Sequence, residues 1–597
     1  MHGTVFGALP KALERPLDER TDAHGLADWR PMIARAQALE ALQTEQFDVV
    51  VVGGGITGAG VALDAATRGY SVALVERADF AAGTSSRSSK LVHGGLRYLQ
   101  NFDLGLVREA LLERQLMVAL APHLVHPLPL VVAAFDGARP DRLIGVGLNL
   151  YDVLTVERLR GRPRPPRQRL RGRSPHGGAA DVSEWSPERH RVISGDEVLE
   201  LVPALAAREP TSGYLFYDCQ TDDARLVLTV LGEAERFGAV CANGVEVTEL
   251  VQEAGRAAGV RVREAPGGGE FVVRASNVVN ATGVWADRLR PEELHDEAEV
   301  PRIRPSRGTH ITLRHEDLPL AAGGAILPAG GGRSIFALPW LGRTLLGTTD
   351  NDYEGTHDGV HVPPAAEDIR YLLDACNAYF GTALAPADLT GAYAGVRPLI
   401  STGDPRKSVD ISRKAELYET SSGMVTITGG KLTTWRRMAK LAVDRIVERE
   451  ARDAPCRTQA IPLGAPVEVA DLPRLEGVPD AAYAALAGRY GHAAHDVLTV
   501  ARERAELAQP ILPDLPDLLA EVVYAARREQ ARSLGDVLLR RTRLGLLAGR
   551  ELDAGGPVVA RVADALGREL GWDAGEAAAQ RGAWRAEARA EGVIGSA

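Results

Sequence analysis

Apolar and polar positions change their period several times along this chain of 597 residues, and the changes divide it. Residues 47–52 are a short, almost wholly apolar run rich in valine, the pattern of a strand buried on both faces of a parallel sheet. Glycines follow at once. Apolar spacing turns helical through 56–68, with Gly69 as the predicted stop, and 71–76 reads as a second strand. The segments 245–262 and 270–279 alternate as strands, the later one running into Asn280-Ala281-Thr282-Gly283. Short strands at 309–313, 334–338 and 344–347, separated by Gly and Pro turns, predict an antiparallel layer. A strand at 424–428 ends in Gly429-Gly430-Lys431 and precedes a helix over 432–449.

From 481 onward the chain is rich in Ala, Leu and Arg, with helical spacing through 481–487, 494–507, 518–530 and 558–570. This predicts a helical domain joined by the proline-containing stretch 455–473. A short amphipathic helix is predicted at 29–42, leading into the first strand.

Composition narrows the class. Hydrophobic residues are 45% and charged residues 25%, ordinary for a soluble globular protein, and the formal charge of -10 argues against nucleic acid as a partner. Cys219, Cys241, Cys376 and Cys456 are scattered with no Cys-x-x-Cys spacing, so no disulfide framework or structural zinc site is expected, and a reducing cytosol fits. No run reaches the roughly 20 apolar residues that a bilayer crossing needs. Residues 1–28 are polar and lack the apolar core of a secretory signal. These features predict a cytoplasmic protein and leave peripheral contact with the inner face of the plasma membrane open. The segment 161–173 alternates Arg with Pro and Gly, an extended solvated loop that leaves an anionic lipid surface open as a partner.

The first chemical motif is Gly53-x-Gly55-x-x-Gly58, after a strand and opening a helix. In that context it is a dinucleotide fingerprint: Gly53 permits the tight turn, Gly55 lets the backbone approach a pyrophosphate, and Gly58 allows close helix–strand packing. Glu76, ending the second strand, is placed for the adenosine ribose hydroxyls. The motif serves NAD and FAD alike, and three features favour FAD. Thr84, Ser85, Ser89 and Lys90 offer hydroxyls and a cation suited to a second phosphate and a ribityl chain. Thr282 and Gly283 end a later strand where a large cofactor would pass. Gly430, Lys431, Leu432 and Thr433 open a late helix whose positive end suits a reduced flavin's pyrimidine.

At this point the chain resembles the FAD-dependent, quinone-linked glycerol-3-phosphate dehydrogenases. The resemblance rests on 53–60, on Ser-Ser-Lys-Leu-Val-His-Gly-Gly-Leu-Arg-Tyr within 84–98, and on Asp-Asp-Ala-Arg-Leu within 218–226. It continues through 280–285, Gly-Thr-Thr-Asp at 347–350, Gly-Val-Arg-Pro-Leu at 395–399 and 429–434, and Arg540-Arg541-Thr542-Arg543 resembles the family's helical domain. It implies an α/β fold with a Rossmann-like FAD-binding domain, an interleaved antiparallel-sheet substrate domain and a C-terminal helical domain. The expected boundaries are an extension at 1–45, FAD-binding segments at 46–120, 195–300 and 395–450, cap segments at 121–194 and 301–394, and helices at 455–597.

The implied reaction oxidises sn-glycerol 3-phosphate to dihydroxyacetone phosphate, with FAD as cofactor, a membrane quinone as electron acceptor and a homo-oligomer left open. His93 is the expected proton acceptor, with a role in holding flavin or substrate as the alternative. Arg97 and Arg397 are expected to bind the phosphate, with Tyr98 donating a further hydrogen bond. Lys431 is expected near the substrate oxygen or the flavin. Asp222, Asp223 and Arg225 read as a structural knot beside the cofactor. A glycerol-3-phosphate oxidase using oxygen, a flavin-dependent amine or amino-acid oxidase, and a nucleotide-binding regulatory or RNA-associated protein are the competing readings.

Overall fold

A computed structural model describes residues 34–95, 104–137, 142–156, 189–265, 267–289, 303–330, 333–353, 360–400 and 415–595. Arg97, Tyr98, the segment 161–173 and the start of the predicted 29–42 helix lie outside the described residues. Within them that helix runs Arg35–Thr44.

The valine run is the centre of the first sheet. Gln46–Val52 pairs in parallel with Val72–Glu76 on one side and Glu270–Asn280 on the other. Val240–Asn243 and Val425–Gly429 continue the parallel order outward, and Ala415–Glu419 closes one edge antiparallel. Both faces are covered, as the uninterrupted apolar run requires. Val49 and Val51 pack among residues of the helices Ile56–Thr67, Asp223–Arg236 and Trp435–Arg449, while Val50 and Val52 pack on the opposite side with Ala38, Leu42 and Val260. The predicted strand 245–262 is instead a hairpin, Val245–Glu253 and Arg256–Glu264, turning at Ala254 and Gly255, both with positive φ.

The second sheet is largely antiparallel, with ten strands among the described residues. Ile303–Arg314 pairs along its length with Leu389–Ile400 and, on its other side, with Arg343–Gly347. His126–Ala134 and Ser212–Gln220 connect it to Leu91–Val92, the short strand that carries the chain away from the polar 84–90 segment.

Beyond these sheets the expected helices form as Asp480–Tyr490, Ala494–Ala501, Leu519–Arg528 and Pro557–Leu570. The predicted 494–507 helix stops at Ala501, and Leu507 sits in the short turn Ala505–Ala508. A further helix, Ala574–Glu591, is N-capped by Asp573, which accepts the Glu576 N–H at 2.8 Å. Apolar spacing conceals it, because only Trp584, Ala588 and Glu591 along it are buried. These helices do not keep a core to themselves: Leu486, Val522, Leu538 and Leu566 share one cluster with Leu338, Trp340, Leu345 and Tyr393 of the second sheet.

Candidate active site

The glycine turn is built by close approach. Gly53 has φ +111°, and a Cβ there would lie 2.8 Å from the Ala281 carbonyl oxygen. A Cβ at Gly58 would lie 1.9 Å from the Gly53 carbonyl oxygen, so any side chain there would push the helix off its strand. Gly60 plays the same part against Trp435 of the late helix, whose ring a Cβ would meet at 2.6 Å. Glu76 braces this turn: its carboxylate accepts the Gly54 N–H at 2.7 Å and the Ala78 N–H at 2.9 Å. Burial pushes its pKa up, opposed by those two N–H groups.

A cavity of about 430 Å³ opens beside this turn. Gly53, Gly55, Glu76, Thr84, Ser85, Ser89, Thr282 and Gly283 line it, together with His93, Arg397, Gly430, Lys431, Leu432 and Thr433. Gly58 stands behind the wall as a packing glycine. Among the described residues the cavity lining carries Arg77, Arg87, Arg288, Arg397 and Lys431 with Glu76 and Glu246, and Glu591 and Asp350 pair with Arg87 and Arg397 from behind.

Each polar wall segment is held. Ser85 Oγ accepts the Ile56 N–H at 3.0 Å, at the start of the helix Ile56–Thr67, and Thr84 Oγ1 donates to the Val396 carbonyl at 2.6 Å. His93 exchanges hydrogen bonds with Thr433: its N–H donates to Thr433 Oγ1 at 3.1 Å, and that hydroxyl donates to the His93 carbonyl at 3.2 Å. Beneath it, Gly94 N–H donates to Tyr151 Oη at 2.9 Å, and Tyr151 donates in turn to Asp218 at 2.6 Å, which Arg114 also meets at 2.5 Å. Arg397 is aimed by the Gly-Thr-Thr-Asp segment: it donates to Asp350 at 3.1 Å, Thr348 Oγ1 at 3.0 Å and the Thr349 carbonyl at 3.1 Å.

Lys90 is the residue the structure sets apart from the expected cofactor ligands. It is absent from the cavity lining and fully buried, with Nζ donating to both Asp223 oxygens at 2.8 Å and to the Ser86 carbonyl at 2.7 Å. The rings of Tyr393 and Trp340 cover it at 4.8 and 5.3 Å. Burial, then the neighbouring Arg543 charge, pulls its pKa down to about 7, while Asp223 is held low by the two cations.

His310 enters the site unannounced by the sequence. It lies on the strand Ile303–Arg314, lines the cavity and is buried. Ser89 Oγ lies 2.9 Å from its Nε2, and its ring stacks on Tyr393 at 4.8 Å between centroids. Nδ1 is buried with no hydrogen-bond partner among the described residues. Burial, then the charges of Lys90 and Arg397, holds its pKa well below the ordinary imidazole range. Among the described residues no group of three or more His, Cys, Asp or Glu side chains could hold a metal ion, and no helix is long and apolar enough to cross a membrane.

Comparison with known proteins matches this architecture. Residues 48–445 match the family described as FAD dependent oxidoreductase, and 424–577 the C-terminal domain of alpha-glycerophosphate oxidase. The chain is 38% identical over 567 residues to the glycerol-3-phosphate dehydrogenase of Mycobacterium leprae (strain TN), covering 93% of this chain and 90% of that one. It is 35% identical to the mitochondrial glycerol-3-phosphate dehydrogenase SDP6 of Arabidopsis thaliana, covering 90% and 85%. The crystal structure of the glycerol-3-phosphate dehydrogenase from Bacillus halodurans, complexed with FAD, aligns with a TM-score of 0.70 at 27% identity, covering 93% and 97%. The chain belongs to the FAD-dependent oxidoreductases and, within them, to the glycerol-3-phosphate dehydrogenase family. The cofactor is FAD, and these residues fit it: a glycine cradle that a Cβ would fill, a braced acid after the second strand, and a cationic wall.

Proposed function

We propose that this protein oxidises sn-glycerol 3-phosphate to dihydroxyacetone phosphate and passes the electrons to a membrane quinone from the inner face of the plasma membrane. The observation that carries the reading is Arg397, whose guanidinium is aligned on the cavity wall by Asp350, Thr348 and Thr349, beside His310 and Lys431. A guanidinium fixed in place on the cavity wall suits a phosphate as a permanent positive charge. When bound, FAD supplies the hydride acceptor. Gly53, Gly55, Glu76, Thr84, Ser85, Ser89, Thr282, Gly283, Gly430, Leu432 and Thr433 would hold it.

The chain's own residues supply the rest. Arg397 binds the phosphate and orients the alcohol. Lys431, ahead of the helix Trp435–Arg449, adds positive potential where negative charge develops. The alcohol proton goes to an imidazole. His310 is taken for that task over His93, since its depressed pKa keeps its ring unprotonated and its Nε2 sits 2.9 Å from the Ser89 hydroxyl on the cavity wall. His93, tied through its backbone to Thr433, then positions the wall.

Anaerobic mixing of the purified yellow protein with glycerol 3-phosphate tests the reaction: the visible flavin band should bleach. Bleaching by an amino acid instead would favour the amine or amino-acid oxidase reading. A second reading, oxygen as acceptor, is kept by the C-terminal match to a glycerophosphate oxidase domain. Reoxidation of the bleached protein by a soluble quinone analogue but only slowly by air supports quinone, and the reverse supports oxygen.

A further inference from the structure

The cluster of Lys90, Asp223 and Arg543 stands directly behind the cavity wall, and none of the steps above uses it. Two cations converge on the same two acceptors. The Ser86 carbonyl accepts from Lys90 Nζ at 2.7 Å and from Arg543 at 2.9 Å. Asp223 Oδ1 accepts from the same pair, each at 2.8 Å. Asp223 Oδ2 accepts the Ser88 N–H at 2.9 Å and its hydroxyl at 2.7 Å. The segment between these ties presents Thr84, Ser85, Ser88 and Ser89 to the cavity.

Lys90 alone could neutralise Asp223. Arg543 adds a rigid fork spanning Ser86, Asp223 and, through its other nitrogen, the Leu539 carbonyl at 2.8 Å. Its side chain is fully buried, and its backbone takes the left-handed conformation at φ +65°. The same helical segment holds the chain just upstream as well: Asp79 accepts from Arg540 at 2.6 Å and from Arg541 at 2.9 Å. A helical region remote in sequence thereby grips the cofactor-facing loop at Ser86 and the chain just ahead of it at Asp79.

We propose that Arg543 is a positioning residue for the cofactor-facing loop 84–89, holding the Ser86 carbonyl so that Ser85 and Ser89 keep their places against the helix Ile56–Thr67 and His310. The proposal rests on the same cavity holding FAD. It is tested by titrating FAD into deflavinated protein, followed by flavin fluorescence, together with thermal unfolding, kcat and KM. The variants are Arg543→Met, Arg543→Lys and, as a control in the helical region, Arg489→Met, which breaks buried contacts to Asp517 and Glu521 and touches no cavity residue. Arg543→Met should weaken FAD about 10-fold or more and lower kcat with little change in KM, and Arg543→Lys should recover part of the loss. Arg489→Met should lower the unfolding temperature with FAD affinity kept within about 2-fold. Unchanged FAD affinity in Arg543→Met, or an equal loss in Arg489→Met, overturns the proposal. If Arg543→Met does not fold, Arg543→Lys decides: FAD affinity equal to wild type there overturns it. Wild-type protein that takes up no FAD would instead remove the cofactor assignment on which it rests.

Discussion

Lys90 and Lys431 both belong to polar stretches broken by small residues, and both come close to the same cavity, yet they meet different company. Lys90 is enclosed with Asp223, two aromatic rings and Arg543, so its charge is answered inside the protein. Lys431 stands on a wall where Arg77, Arg87, Arg288 and Arg397 outnumber Glu76 and Glu246. The first arrangement is complete without a ligand. The second lines the cavity that FAD fills, with Arg87 paired to Glu591 and Arg397 to Asp350 behind the wall. Where a charge faces, more than its residue type, separates charge that holds the fold from charge that can meet a ligand.

The comparison can be broken most sharply at Asp223. Asp223→Ala leaves two buried cations without their carboxylate and should destabilise the protein by about 3–5 kcal/mol, read by urea unfolding. A loss below about 1 kcal/mol would mean that water reaches the cluster and that it is not the closed unit described. At Arg397 the effect should fall on substrate instead. Arg397→Ala should lower kcat/KM for glycerol 3-phosphate by about 100-fold or more, with FAD content unchanged, since a charged donor to phosphate is lost. Equal loss of FAD would put Arg397 with the structural group.

A pH series sharpens the assignment of the proton. Because the folded pKa of His310 lies below the ordinary imidazole value, the neutral form persists as pH falls through about 6.5. The rate of flavin bleaching should stay flat across that range and fall only at lower pH, and it should drop about 100-fold in His310→Asn. A fall centred near pH 6.5 that persists in His310→Asn would return the role to His93. The same depressed pKa means the unfolded chain binds the extra proton, so stability should decline as pH drops below about 6.5 and less so in the variant. The smallest effect is expected at Thr84→Val, which removes one hydroxyl bond to the Val396 carbonyl and should cost about 1 kcal/mol of stability.

What could be read from the chain was what local geometry dictates. Gly53, Gly58 and Gly69 declare a turn, a close approach and a helix end through their own spacing, and 47–52 declares burial on both faces. Lys90 could not be read that way. It shares its segment with Ser85 and Ser89, and only the convergence of Asp223 and Arg543, both distant in sequence, turns it inward. His310 was hidden for a related reason. The strand at 309–313 is legible, but which of its alternating side chains meets a cavity depends on the partner strands Arg343–Gly347 and Leu389–Ile400. The hairpin at 245–264 was missed although Gly255 marks its turn, because apolar alternation resumes on both sides of it and hides the break.

The arginines at 540–543 also set an order of events during synthesis. Asp79, Ser86, Lys90 and Asp223 leave the ribosome long before Arg540, Arg541 and Arg543, which complete their hydrogen bonds. At ordinary elongation speeds the wait between Lys90 and Arg543 is roughly 20–90 s. Through that interval the first sheet can form while its cofactor loop lacks its last support. The growing chain is therefore vulnerable until Arg540–Arg543 emerge, and truncations upstream of residue 540 should be cleared by proteases rather than accumulate as active fragments.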